Sequence, residues 1–337
     1  MRVAVLDYEH IIRSSVTGPI DILLKANETM EAFMPESAQT RFDIDVISTR
    51  GSNASNSGWI AMSHVQLGDI RSNKKYDLVI IPATDINYVQ QILEKETDSI
   101  LWIREQYSHG AEIASICLGA FMLAESGLLD NKFATTHWLG VDLFRKRFPN
   151  VNLLDDKIIT DHNGLYTSGG AFSFTSLLIY LVEKYCGKEV AVLTSKVLMI
   201  HVHNIPQHAF AIFSLQRNHD DKDIIKVQDY IDDHLDEKIT VELMATKAGL
   251  STRTFIRRFN KATGNTPNEY LQRIRTEKAK QLLTETNSGA EQAGYQVGYE
   301  DVSAFRKVFK KITGMTPNEY RKRYNKMFQG SYIEVNL

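Results

Sequence analysis

The sequence contains one segment twice. Residues 251–270, STRTFIRRFNKATGNTPNEY, and residues 301–320, DVSAFRKVFKKITGMTPNEY, agree at ten of twenty positions with an offset of 50. Phe255 aligns with Phe305 and Phe259 with Phe309, and Thr266-Pro267-Asn268-Glu269-Tyr270 returns whole at 316–320. A solenoid needs at least about three repeats, so two copies point to a small helical unit used twice. Ser251 and Asp301 are good N-caps. The paired phenylalanines, at i and i+4, share one helix face. Gly264 and Gly314 suit the left-handed residue that ends a helix. Thr266 to Glu269 and Thr316 to Glu319 read as capping boxes with proline at the first helical position.

Upstream of the first copy, Val241 to Ala248 reads as a short helix with Met244, Ala245 and Ala248 on its inner face. Ala248-Gly249-Leu250-Ser251 turns the chain into a second helix over 252–262, which makes a helix-turn-helix. A long helix over 267–285 joins it to a second such unit, built from 289–297, the turn Gly298-Tyr299-Glu300 and a helix over 302–312. Charge supports this division. Residues 238–327 hold 18 Lys+Arg against 8 Asp+Glu, while residues 1–237 hold 21 against 32, within a chain of net charge −2. A basic module fused to an acidic one suggests nucleic-acid binding by the former.

Residues ~222–327 resemble the AraC-family DNA-binding domain. The resemblance rests on A-G-L-S-x-R-x-F-x-R-x-F, followed by V-G-Y-x-D-x-S-x-F-x-x-x-F-K-K-x-x-G-x-T-P-x-x-Y-R. It implies double-stranded promoter DNA as a partner and two helices entering successive major grooves, ~34 Å apart. With the phenylalanines buried, the first helix presents Arg253, Ile256, Arg257 and Asn260. The second presents Val302, Ser303, Arg306, Lys307 and Lys310. Arginine to guanine is the commonest specific contact, and valine can meet a thymine methyl. Gln292 and Gly294 depart from the family's pattern, which predicts a frayed first helix in the second unit.

The front two-thirds alternates strand and helix. Strands are expected at 2–7, 42–48, 77–82, 111–116 and around 165–168, with helices at ~18–33, 87–108, 118–126, 138–147 and 170–186. Such alternation gives a parallel sheet covered by helices on both faces, with ligands at the carboxyl ends of the strands. Asp21, Cys117, Gly169 and Gly170 collect there. Ser115-Ile116-Cys117-Leu118-Gly119 leaves a strand and enters a helix between small residues, as at hydrolase elbows. A helix N-terminus there favours the thiolate, and Asp21 is expected either to approach the sulfur or to cap the helix beginning near Ile20.

This region resembles the PfpI-like branch of the class I glutamine amidotransferase-like superfamily, through Gly18-Pro19-Ile20-Asp21, the Cys117 elbow, Ala134-Thr135-Thr136-His137-Trp138 and Tyr166-Thr167-Ser168-Gly169-Gly170. With the back domain, the chain over about 5–325 resembles the GlxA-type transcriptional regulators. That resemblance implies a flavodoxin-like parallel sheet sandwiched by helices, then an all-α domain. The expected layout is a sensor domain over 1–187, a helical extension and linker over 188–223, centred on 216–223, a DNA-binding domain over 224–327 and a tail over 328–337. The sensor pocket would use Asp21, Cys117, His137, Gly169 and Gly170 to bind an unidentified small-molecule effector, and the front domain would form a homodimer. Leu118 replaces the histidine that follows the nucleophile in PfpI-type proteases, and Ser176 stands where many relatives carry an acid. A protease dyad is therefore not expected, and the leading reading is a regulator rather than an enzyme. Two others stay open: a cysteine-dependent hydrolase or hydratase, and a redox sensor through Cys117.

His201, His203 and His208 lack a cysteine or carboxylate at metal-ligand spacing, and Pro206 interrupts them, so neither metal nor cofactor is expected. No apolar run approaches the ~18–20 residues of a membrane helix. The start enters a strand without secretory layout, and with only two cysteines a cytoplasmic location is expected.

Overall fold

Strand sequences that are apolar on both faces, such as VAVL and LVII, can only be satisfied inside a sheet covered on both sides. A computed structural model describes residues 1–34, 40–49, 64–67, 74–201, 207, 213, 216–217, 219–286 and 288–324. The chain divides into two units, Met1–Gln207 and His208–Leu337.

The N-terminal unit runs β1 (Arg2–Asp7), α1 (Ser14–Phe33), β2 (Asp43–Ser48), β3 (His64–Gln66), β4 (Leu78–Ile81), α2 (Val89–Lys95), α3 (Thr97–Ser108) and β5 (Glu112–Ile116). It continues with α4 (Ala120–Glu125), β6 (Phe133–Ala134), α5 (Val141–Arg147), β7 (Asn152–Leu153), β8 (Ile159–His162), β9 (Leu165–Ser168), α6 (Phe174–Cys186) and α7 (Lys188–Val197). Seven strands form one sheet in the order β3-β2-β1-β4-β5-β9-β8, and β6 pairs with β7 apart from it. All pairs in the large sheet are parallel except the β8–β9 hairpin. The order reverses at β1, so right-handed crossovers place the helices on opposite faces. α1, α6 and α7 pack together, as do α2, α3 and α4. The result is the flavodoxin-like sandwich of the sequence reading.

Four expectations need correction. α1 starts at Ser14, not near 18. The helix expected over 87–108 is two helices, broken at Glu96, whose carboxylate accepts from Ser99 Oγ at 2.5 Å and Thr49 Oγ1 at 2.9 Å. The sheet is mixed rather than purely parallel, because β8 returns against β9. The boundary moves from 187 to 207: Val190 and Ala191 of α7 are buried against α1 and α6, so the expected extension belongs to the core.

The C-terminal unit runs α8 (Lys222–Asp233), α9 (Val241–Lys247), α10 (Thr252–Thr263), α11 (Pro267–Glu285), α12 (Ala290–Gln296), α13 (Val302–Thr313) and α14 (Pro317–Tyr324). The expected linker over 216–223 is partly structured. Asp221 caps α8 by accepting from the Ile224 amide at 3.3 Å, and Arg217 pairs with Asp229 at 2.7 Å. Two apolar cores result, one around Phe255, Phe259 and Met244, the other around Phe305, Phe309 and Ala293. α11 serves both, with Tyr270, Leu271 and Ile274 in the first and Ala279 and Leu283 in the second. The tail over 328–337, and His203 and His208, lie outside the described residues.

Candidate functional site

β5 and β9 end side by side, Ile116 opposite Ser168, so Cys117 and Gly169 leave the sheet together. Cys117 has φ +58°, a left-handed conformation that L-residues adopt only when their surroundings hold them. Gly119 is required by packing, since a Cβ there would lie 2.5 Å from the Pro82 carbonyl oxygen. Thr136 Oγ1 donates to the Cys117 carbonyl at 3.1 Å. These contacts build the elbow that the small residues predicted.

The chemistry of the elbow differs from the expectation. Cys117 is buried, and burial pushes its thiol up to about 12 against the opposing influence of the Leu118 amide. Desolvation thus outweighs the helix terminus, and the group is a thiol at neutral pH. His137 caps the turn Trp138–Gly140, with Nδ1 accepting from the Leu139 amide at 3.1 Å. Burial lowers its pKa, so the ring is neutral. It adjoins Gly170, whose Cβ would meet the imidazole at 3.9 Å. Asp21 sits in mid-helix on α1, exposed to solvent. It is therefore not a cap, and the carboxyl buried at a strand end is instead Asp7. Ser176 is buried on α6. The structure thus brings Cys117, Thr136, His137, Gly169 and Gly170 to one end of the sheet and leaves Asp21 exposed.

One residue of this region carried no sequence signal. Gln207 is buried, and its side chain occupies the space beside Gly169. Nothing in the neighbouring sequence marks such a residue, because only tertiary contact reveals it.

In the C-terminal unit the two copies repeat in detail. Gly249 and Gly298 turn at φ +67° and +80°, and Gly264 and Gly314 end the second helices at +69° and +73°. Ser251 caps α10 through the Thr254 amide at 3.4 Å, and Asp301 caps α13 through Ser303 and Ala304 at 2.8 and 3.2 Å. Both capping boxes form, Thr266 with Glu269 and Thr316 with Glu319. Gly294 does not fray α12. It is buried, and a Cβ there would stand 2.9 Å from the Phe305 ring, so the glycine lets the helix pack.

Arg253, Ile256, Arg257 and Asn260 are exposed on α10, as are Ser303, Arg306, Lys307 and Lys310 on α13; Val302 is half-buried in the first turn. Arg258 is committed elsewhere, holding Asp221 at 2.6 Å and Asp223 at 2.8 Å. Among the described residues, none of the other five cations named makes an ion pair within the chain. The two helix-turn-helices are braced by Arg275 of α11. It is buried, donates to Leu235 O at 3.1 Å and Glu237 O at 2.6 Å, and lies 5.4 Å from the Tyr299 ring centre.

These features define a flavodoxin-like domain with a cysteine elbow, joined to a double helix-turn-helix module. More particularly, the chain joins a DJ-1/PfpI-family domain, matched over residues 18–184, to an AraC-type helix-turn-helix domain, matched over residues 244–323. The HTH-type transcriptional regulator CdhR of Pseudomonas aeruginosa is 24% identical over 209 residues, 62% of this chain and 62% of that protein. GlxA of Rhizobium meliloti, also an HTH-type transcriptional regulator, is 26% identical over 202 residues, 58% and 60% of the two chains. Drosophila melanogaster DJ-1beta is similar over 59% of this chain and 98% of its own, at 20% identity and a TM-score of 0.46. The matches cover about three fifths of the length of these curated relatives. Among the described residues no helix is long and apolar enough to cross a membrane.

Proposed function

We propose that the protein is a sequence-specific DNA-binding transcriptional regulator whose N-terminal unit senses a small molecule. One observation carries the reading: two helices of matching build, on a repeated frame, present Arg253, Arg257, Arg306, Lys307 and Lys310 exposed and, among the described residues, without an ion pair. Arg257 and Arg306, with Arg253, supply the forks that read guanine, while Lys307 and Lys310 neutralise phosphate and set register. The sensor pocket lies around Cys117, Thr136, His137, Gly169 and Gly170. The similarity to HTH-type regulators supports the reading, and a homodimer formed through the N-terminal unit would give two DNA arms a high effective concentration.

The enzyme and redox readings are weaker on physical grounds. A nucleophile or sensor cysteine acts as an accessible thiolate, whereas Cys117 is buried and protonated. The His137 nitrogen that could serve as a base, Nδ1, already accepts from Leu139.

The test is anisotropy on the DNA upstream of the protein's own coding sequence, at ~0.15 M salt with excess random competitor. Specific binding is expected, with Arg257→Ala weakening it roughly five- to a hundredfold, the range for a lost base contact. Lys307→Ala should weaken all sequences alike and flatten the salt dependence. Affinity unchanged in both variants would overturn the assignment.

A further inference from the structure

Gln207 fills the sensor pocket with a group that fits it imperfectly. The residue is 3% exposed, and its backbone amide donates to Asp156 O at 3.1 Å. The side chain lies so close to Gly169 that a Cβ there would come within 2.1 Å of its carboxamide carbon. Nε2 faces three acceptors, Thr135 Oγ1 at 2.9 Å, Thr136 O at 2.9 Å and Lys157 O at 2.8 Å. An amide nitrogen has two hydrogens to offer them. The Thr135 hydroxyl spends its own proton on Lys157 O at 2.8 Å, so all three neighbours present lone pairs only. At the other end, Gln207 Oε1 is buried with no hydrogen-bond partner.

The two amide hydrogens and the Thr135 hydroxyl together meet the three acceptors, but the site offers nothing to the carboxamide oxygen. The group that matches is a donor-only head with no acceptor oxygen to leave unpaired, a primary ammonium or a guanidinium. Burying such a cation is costly unless it is both paired and hydrogen-bonded, and the three converging acceptors supply the hydrogen bonds. The place is also right, beyond the carboxyl ends of β5 and β9 in an open α/β sheet.

We propose that Gln207 is a tethered stand-in for the effector, and that a small molecule with an ammonium or guanidinium head displaces it from Thr135, Thr136 and Lys157. Gln207 is the last residue of the N-terminal unit, and His208 begins the C-terminal one. Expulsion of Gln207 thus acts directly on the chain that leads into the DNA-binding unit. This second half of the proposal rests on the regulator reading, whereas the ligand site does not.

The experiment uses the full-length protein and two readouts. Calorimetry compares ethylammonium, methylguanidinium, acetamide and tetramethylammonium, the last having no N–H. Removing a built-in competitor raises apparent affinity by the reciprocal of the fraction of protein it had left unoccupied. Gln207→Ala is therefore expected to bind ethylammonium or methylguanidinium at least about tenfold more tightly than wild type, with acetamide weaker and tetramethylammonium silent. Thr135→Val, which removes one acceptor, should lower that affinity. In the DNA assay, Gly169→Ala expels Gln207 without altering it. It should shift promoter affinity in the same direction as Gln207→Ala, and as the amine does in wild type. Equal amine binding by wild type and Gln207→Ala, or tetramethylammonium binding as well as ethylammonium, would overturn the ligand site. A promoter affinity indifferent to both Gln207→Ala and Gly169→Ala, in a wild type that does bind its promoter, would leave Gln207 a structural latch and overturn the switch. A wild type that binds no promoter at all would remove the regulator reading and the switch with it, while calorimetry still decides the site.

Discussion

Replacing Arg275 with alanine should loosen the second helix-turn-helix from the first. The guanidinium reaches two carbonyls in the loop between α8 and α9, Leu235 O and Glu237 O, and covers the ring of Tyr299 in the turn that precedes α13. Hydrogen bonds from a charged donor contribute about 1.5–3 kcal/mol each, and the ring contact about 0.5–1 kcal/mol. Water entering the vacated space would recover part of this, leaving a net loss of about 2–4 kcal/mol. That is a large share of the ~5–15 kcal/mol that holds a domain together. With a urea m-value of ~1–3 kcal/mol/M, the midpoint should fall by about 1–2 M. The chain provides its own control. All three tryptophans, Trp59, Trp102 and Trp138, precede residue 208, so their fluorescence follows the N-terminal unit. Far-UV circular dichroism also follows the helical C-terminal unit. Arg275→Ala should pull the dichroism transition to lower urea and leave the tryptophan transition in place. At a temperature where the variant is still folded, promoter affinity should drop about tenfold, because two helices out of register no longer share one binding event. If the dichroism midpoint stays put, or promoter affinity survives intact, Arg275 does not brace the module and the reasoning fails.

Gly294→Ala should destabilise the C-terminal unit by about 1–3 kcal/mol through overpacking against Phe305, although the same change in an open helix gains roughly 0.5–1 kcal/mol; urea melts by dichroism give the sign. In a Cys186→Ala background, alkylation of Cys117 should keep accelerating from pH 8 to 11 rather than level off near 9, because burial holds the thiol up to about 12. A raised thiol pKa means the folded state keeps a proton the unfolded chain loses, so this contribution to stability is complete below about pH 9 and is lost as the pH rises to about 12. In the C-terminal unit, Asp221, Glu269 and Glu319 are all held below the usual carboxylate range, Asp221 by Arg258 and the glutamates by their capping boxes. Depressed carboxyl pKa values add stability that is present above the unfolded values, 3.8 for Asp and 4.5 for Glu, and lost as the pH falls below them. Dichroism melts should therefore weaken between pH 5 and 3, and Asp221→Asn should flatten that dependence.

The helix-turn-helix module was legible because its determinants are local. Caps, left-handed glycines and phenylalanines four apart act within one or two helical turns, and they recur in the structure almost residue for residue. The five central strands were legible for a related reason, since a run such as LVII has only one kind of environment open to it. β8 was not, because ITDH is polar and owes its conformation to pairing with β9. The domain boundary at 187 failed for want of a contact: what assigns α7 to the N-terminal unit is the burial of Val190 and Ala191. Gly294 read as a helix weakness until the Phe305 ring beside it showed what its missing side chain allows.

The proposed sensor pocket divides along the same line. The elbow was visible in Ser115 and Gly119, and Cys117 does adopt its left-handed turn. Its protonation state was not visible, because a helix terminus and burial act in opposite directions and only the three-dimensional surroundings say which is larger. Asp21 looked like the pocket's carboxyl because it follows Gly18-Pro19 near the apparent start of a helix. The helix in fact begins at Ser14, which carries Asp21 to an exposed position. Thr135 and Thr136 stood in plain sight beside His137, yet a threonine oxygen or a backbone carbonyl becomes a binding group only when something converges with it. What converges here is Lys157 O from the chain that leads into β8, and the amide that meets all three belongs to Gln207, far along the sequence. A pocket defined by backbone acceptors leaves little trace in residue types, so ligand preference in such a domain has to be read from hydrogen-bond geometry.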